Sequence, residues 1–136
     1  MTQKYLDGLT YQIIGAAIAV HKELGPGLLE SVYEKCLIRI LNEKGLQVSY
    51  QQKVPIVFHG IYLESDLRFD IMLENQIIIE IKAVDAVMPI HKAQLLTYLR
   101  LANKPKGILL NFNCVNMFKE GQKTFVTELY SKLPKD

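Results

Sequence analysis

The sequence predicts an α/β (α+β) domain in which helices flank a mixed central β-sheet, in the order ααβββαββ. Three observations carry this reading. Two stretches near the N-terminus repeat apolar residues at helical spacing. Runs rich in Val, Ile, Tyr and Phe then fill residues 47–82. A further helical stretch separates these from two more short apolar runs, as an antiparallel meander feeding a helical crossover requires.

The first helix is predicted over Thr10–Leu24, where Ile13, Ile14, Ala17, Ile18 and Val20 share a face. Thr10 or Asp7 can cap it, and Gly25-Pro26-Gly27 stops it. His21 near its C-terminus is either a surface imidazole favoured by the helix dipole or a substrate contact. The second helix runs from about Leu28 to Lys44 and stops at Gly45. Its apolar face (Leu29, Val32, Tyr33, Cys36, Leu37, Ile40, Leu41) also takes in Glu30, whereas Glu34, Lys35 and Arg39 lie mostly elsewhere. Glu30 is thus either a first-turn carboxylate at the positive end of the helix or an acid turned inward for a purpose.

Two strand segments follow, Gln47–Phe58 and Ile61–Leu73, joined by a His59-Gly60 hairpin signal. Pro55 makes the first an edge strand or interrupts it. After a turn at Glu74-Asn75-Gln76, the run Ile77–Lys82 is nearly all apolar, which marks a central strand covered on both faces. Met88-Pro89 opens a helix to about Asn103, with Leu95, Leu96, Leu99 and Ala102 facing the core. Gly107–Phe112 and Lys123–Glu128 are the last strands, and Lys132–Asp136 reads as a loose tail.

With 136 residues, no repeat and no linker-like composition, the chain is expected to form one domain, with its core over about 9–128 and 1–8 and 129–136 peripheral. At 49% hydrophobic and 22% charged it belongs with globular chains, not disordered ones. A net charge of +2 does not by itself announce a nucleic-acid partner, but leaves room for a local patch. Cys36 and Cys114 lack metal-binding spacing and read as apolar fillers in a reducing compartment. Met1–Tyr5 shows no signal-peptide pattern, and the apolar run Ile13–Val20 is far below the roughly 18 residues that span a bilayer. A cytoplasmic protein without a membrane partner is expected.

The chemistry is concentrated in Leu67–Ala83. Alternation along a strand puts Glu80 and Lys82 on one face and Ile79 and Ile81 on the other. If the Glu74–Gln76 connection has three residues, Leu73 pairs with Ile77 and Asp70 lies opposite Glu80, Cβ atoms about 4.5–5.5 Å apart. A two-residue turn would instead separate the two acids. Facing carboxylates in an apolar strand repel unless a hard cation such as Mg²⁺ joins them. Lys82 on the same face can then reach a phosphate or the attacking water; the bland alternative is a solvated charge ladder. On the crossover helix His91, Gln94 and Tyr98 share one side. Arg68, on the face of Asp70, either holds a phosphate or pairs with a nearby acid.

At these residues the chain resembles the PD-(D/E)XK nuclease superfamily, through Asp70 and Glu80-Ile81-Lys82. It is similar in particular to the small GxxExxY proteins, through Gly27-Leu28-Leu29-Glu30-Ser31-Val32-Tyr33, and Gln94-x-x-x-Tyr98 resembles an element of RecB-type exonucleases. Phe69 stands where many members have Pro. The resemblance implies a restriction-endonuclease-like fold, Mg²⁺ or Mn²⁺ dependence and DNA or RNA as substrate. It implies a metal site of Asp70, Glu80 and the Ile81 carbonyl, with Glu30 reaching it directly or through water. Lys82 is then catalytic, and Gln94, Tyr98 and Arg68 bind the nucleic-acid backbone. A non-catalytic nucleic-acid- or protein-binding module on the same fold is the alternative, and a homodimer or another protein partner is compatible with either.

Overall fold

The structure, a computed structural model, describes all residues from Met1 to Asp136. Helices α1 (Gln3–Leu24) and α2 (Glu30–Glu43) come first, followed by four short strands, β1 (Val48–Tyr50), β2 (Ile56–Phe58), β3 (Ile61–Leu63) and β4 (Ile71–Leu73). Then come β5 (Ile77–Lys82), α3 (Pro89–Ala102), β6 (Lys106–Asn111), β7 (Gln122–Val126) and a final turn of helix, α4 (Glu128–Ser131). No helix is long and apolar enough to cross a membrane.

Five strands form the main sheet in the order β1-β4-β5-β6-β7; β2 and β3 pair only with each other. The sheet is mixed: β5 and β6 run parallel, while the β1–β4, β4–β5 and β6–β7 pairs are antiparallel. Alternation along β5 feeds two cores. Ile77, Ile79 and Ile81 pack with Ile71, Leu73, Ile108 and Leu110 against α1 and α2. Ile78 packs with Met72 and Leu109 against Leu95, Tyr98 and Leu99 of α3. This two-sided cover is why β5 is almost uniformly apolar, and its limits are those expected from the sequence.

Several expectations are corrected. Helix α1 starts seven residues before Thr10, because the Thr2 hydroxyl caps it by accepting from the Tyr5 amide at 3.0 Å. Thr10 instead lies inside the helix, donating to the Leu6 carbonyl at 2.9 Å. Asp7 pairs at 2.7 Å with the buried Lys106 ammonium, and the Tyr130 hydroxyl also donates to it. The segments Gln47–Phe58 and Ile61–Leu73 each break into two short strands: the β1–β4 ladder ends at Tyr50–Ile71, looser pairing runs on to Val54–Leu67, and after it Pro55, with no amide to give, leads into a separate arm, β2–β3. Positive φ at both His59 (49°) and Gly60 (77°) gives the expected hairpin turn. The tail is not loose: Gln3 and Lys4 amides donate to the carbonyls of Pro134 and Lys135.

Candidate active site

The three-residue connection is present: Leu73 pairs with Ile77 and Ile71 with Ile79, which leaves Asp70 just beyond the last pair and beside Glu80. The Asp70 carboxylate reaches across and accepts from the Ile81 amide at 2.8 Å, which fixes its orientation. Glu80 and Lys82 share the face of β5 on which Ile78 packs against α3, toward the C-terminal end of the strand.

Glu80 is only 5% exposed, and its Oε1 has no hydrogen-bond partner. Burial is the main reason its carboxyl is pushed from 4.5 up to about 9, and the neighbouring Asp70 charge raises it further against the smaller pull of Lys82. Tyr98 is also buried, edge-on to Phe69 with ring centroids 5.6 Å apart. Its phenol is raised by burial and then by the charges of Glu80 and Asp70. Gln94, one turn nearer the start of α3, is half-buried, as is Lys82, which joins no ion pair.

The segment leaving β5 is held from both sides. Asn111, which pairs in register with Lys82, accepts from the Val84 amide at 3.1 Å and donates to its carbonyl at 3.0 Å. From the other face Glu30 accepts from the Ala83 amide at 3.2 Å. Glu30 is thus not turned into the core as the helical arrangement suggested; it is exposed and reaches the end of β5. What puts it there is the turn before α2. Gly27 sits at φ +99°, a conformation other residues resist, and the Tyr33 hydroxyl bridges the turn, donating to the Gly25 carbonyl at 2.6 Å and accepting from the Leu28 amide at 3.1 Å. Tyr33 is itself fixed by stacking on Phe112 at 4.4 Å. The Gly27, Glu30 and Tyr33 spacing thereby has a physical meaning: one residue makes the turn, one locks it, and the third is aimed by it.

Three other predicted residues lie elsewhere or do other work. Arg68 is exposed and donates to the Gln51 carbonyl at 2.9 Å, bracing the strand before Asp70. His91 turns back to accept from the Met88 amide at 3.0 Å, capping α3. His21 is not a free surface imidazole: its Nε2 donates to the Cys114 carbonyl at 2.8 Å. Cys36 and Cys114 are free and half-buried against the larger core.

One acid escaped the sequence reading. Glu34, one helical turn after Glu30, accepts from the Gln51 side chain at 2.8 Å. Its carboxyl is raised chiefly by burial, partly offset by that hydrogen bond, and further by the charges of Asp70 and Glu30. The i, i+4 spacing of Glu30 and Glu34 was the available signal. Four acids thus surround one end of β5, with Lys82 the cation set among them.

The donors fit a divalent cation in kind: two facing carboxylates, one with a buried, unpartnered oxygen. No three acidic, histidine or cysteine side chains come close enough to share one ion, because Glu30 is engaged with Ala83. Among curated proteins and among solved structures, none matches this chain. A family model described as PD-(D/E)XK nuclease superfamily matches residues 7–125, a span that holds the sheet, Asp70, the Glu80-x-Lys82 strand and the crossover helix; it does not speak to the narrower GxxExxY grouping. By that match, on this fold, the chain belongs to the PD-(D/E)XK nuclease superfamily.

Proposed function

We propose that this protein is a divalent-metal-dependent nuclease that hydrolyses phosphodiester bonds in DNA or RNA. The observation that carries the reading is the Glu80 carboxylate, buried beside Asp70 with one oxygen left without a partner. A buried acid in that state costs the fold stability as it ionises, and a bound cation removes that cost.

In this reading Asp70, Glu80 and the Ile81 carbonyl would hold Mg²⁺ or Mn²⁺, with Glu30, now accepting from the Ala83 amide, as a further donor directly or through a water. When bound, the cation would supply positive charge beside the phosphate oxygens and make a nearby water more acidic. Lys82 lies two residues beyond Glu80 on the same side of the strand, and its ammonium, free of ion pairs, orients that water or contacts the phosphate. Gln94 and Tyr98 flank the acids from α3 and position the nucleic-acid backbone. Glu34, anchored to Gln51, adds negative potential that favours cation entry.

A second reading, a non-catalytic binding module on the nuclease fold, is favoured by the absence of three ligands within reach of one ion. Incubation of the pure protein with single- and double-stranded DNA and RNA, in Mg²⁺, Mn²⁺ or EDTA, separates the two. Cleavage that requires the ion supports the nuclease; binding that persists in EDTA, with no nicking under any ion, supports the module.

A further inference from the structure

The acids around the end of β5 repel the phosphates that a nuclease must hold, and Lys82 is the one cation set among them. The attraction for a polyanion has to come from elsewhere on the surface. Beside Asp70, an open groove of about 480 Å³ is lined by three cations, Lys53, Arg68 and Lys104, and by no acid.

The strands place these cations. Beyond β1 and β4 the pairing keeps its register: Gln51 donates to the Asp70 carbonyl, Phe69 to the Gln52 carbonyl, and Lys53 bridges Arg68. Lys53 and Arg68 are thus directly opposite each other, their side chains on one face and their Cβ atoms about 4.5–5.5 Å apart. Like charges in that position destabilise a strand pair, and an anion shared between them reverses the effect. At the other end Lys104, just past α3, donates to Asn75 in the turn after β4 at 3.1 Å. From Phe69 to Leu73 the strand covers about 13 Å, roughly four nucleotides of a strand rising about 3.4 Å each.

All three cations keep donors to offer. Arg68 gives Nη1 to the Gln51 carbonyl and retains the rest of its fork. Lys104 spends one of its N–H groups on Asn75. Lys53 faces Glu64 at 3.5 Å, but with the two side chains 49% and 83% exposed that pairing is weak. These tethers position the charges without consuming them. The near end of the groove meets the acids, because Phe69 lines it, precedes Asp70 and lies edge-on to Tyr98. Tyr50, 61% exposed on the same groove, offers a ring on which a base can stack.

We propose that Lys53, Arg68 and Lys104 form a phosphate tract that seats one strand of DNA or RNA and leads it past Phe69 to Asp70 and Glu80. The tract rests on the nuclease reading above and adds Lys53 and Lys104 to the residues that hold the substrate.

The test is fluorescence anisotropy of labelled single- and double-stranded DNA and RNA oligonucleotides in EDTA, repeated from low to moderate salt. Wild type is expected to bind, with affinity falling as salt rises. The double variant Lys53→Gln with Lys104→Gln is expected to lower the slope of log affinity against log salt by about 1.5–2, with unchanged circular dichroism. Glu64→Gln releases Lys53 and is expected to tighten binding about twofold. A double variant with wild-type affinity and slope overturns the tract, as does a Glu64→Gln protein that binds more weakly than wild type. Binding to vesicles of anionic phospholipid with none to nucleic acid also overturns it and assigns the groove to a lipid surface. The two readings fail separately. A wild type that binds no oligonucleotide yet cleaves one in Mn²⁺ sinks only the tract, and one that binds through these lysines yet cleaves nothing sinks only the nuclease.

Discussion

Replacing Glu80 by Gln should stabilise the metal-free protein, and the size of the effect follows from the environment of the side chain. Burial and the Asp70 charge push the Glu80 carboxyl from 4.5 up to about 9. Between those values the folded protein keeps a proton that the unfolded chain has lost. The unfolded state therefore binds fewer protons, and stability falls as pH rises, by about 1.4 kcal/mol per pH unit. At pH 7 the accumulated loss is about 3 kcal/mol, and at pH 5 about 1 kcal/mol. Gln is neutral in both states and nearly the same shape, and its amide can donate toward Asp70. E80Q should thus match wild type more closely at pH 5 and exceed it by about 3 kcal/mol at pH 7, roughly 10 °C in Tm for a domain of this size. The assay is thermal and urea denaturation in EDTA from pH 5 to pH 8. With Mn²⁺ added the order should close or reverse, because only wild type gains from binding the ion. An E80Q protein no more stable than wild type at pH 8 in EDTA, or one with the same pH slope, would refute the reasoning.

Other perturbations test other parts of the account. Asp7→Asn leaves the buried Lys106 ammonium without its acid and should destabilise by roughly 1–3 kcal/mol at neutral pH in urea titrations. Because hydrogen bonding to Lys106 holds the Asp7 carboxyl below its usual value, the stabilisation by Asp7 is present above about pH 4 and lost as pH falls through the lowered value, so the variant and wild type should converge in acid. Gly121→Ala would put a Cβ 2.5 Å from Met117 Sδ, 2.9 Å from Cys114 Sγ and 3.0 Å from the Asn111 carbonyl. The backbone oxygen cannot step aside, so a loss of about 1–3 kcal/mol is expected; an unchanged denaturation midpoint would contradict it. Tyr33→Phe removes the hydroxyl that locks the turn before α2, and with the ring stack on Phe112 intact it should lower Mn²⁺-dependent cleavage while costing no more than about 2 kcal/mol of stability in urea titrations.

What the sequence made legible follows from how local each signal is. The β5 run and the Glu74–Gln76 connection are local, and together they set the Asp70–Glu80 face. Pro89 and the leucines of α3 were equally direct. The region 47–73 was not, because apolar alternation reads the same in a strand joined to the sheet and in an arm that leaves it. Only the consequence of Pro55 for the ladder decides between them. Arg68 has the expected parity, yet its guanidinium is held by a neighbouring carbonyl on Gln51. Glu30 was placed by the apolar face of its helix, whereas the Gly27 turn and Tyr33 decide where the chain enters α2. Glu34 was passed over on the same criterion, since a helical arrangement sorts residues by core and solvent and not by the end of a strand above them. The N-terminal start of α1 and the docked tail depend on each other across the whole chain, and nothing local announces such a contact.

The central claim is that the acids at the end of β5 form a hydrolytic site. The most direct measurement is cleavage of single- and double-stranded DNA and RNA by wild type, Glu80→Ala and Lys82→Ala, each in Mg²⁺, Mn²⁺ and EDTA, with folding checked by circular dichroism. Cleavage by wild type that needs the ion, and its loss in both folded variants, is the predicted result. Cleavage that persists in both variants, or a folded wild type that cuts none of the four substrates with either ion, would contradict it.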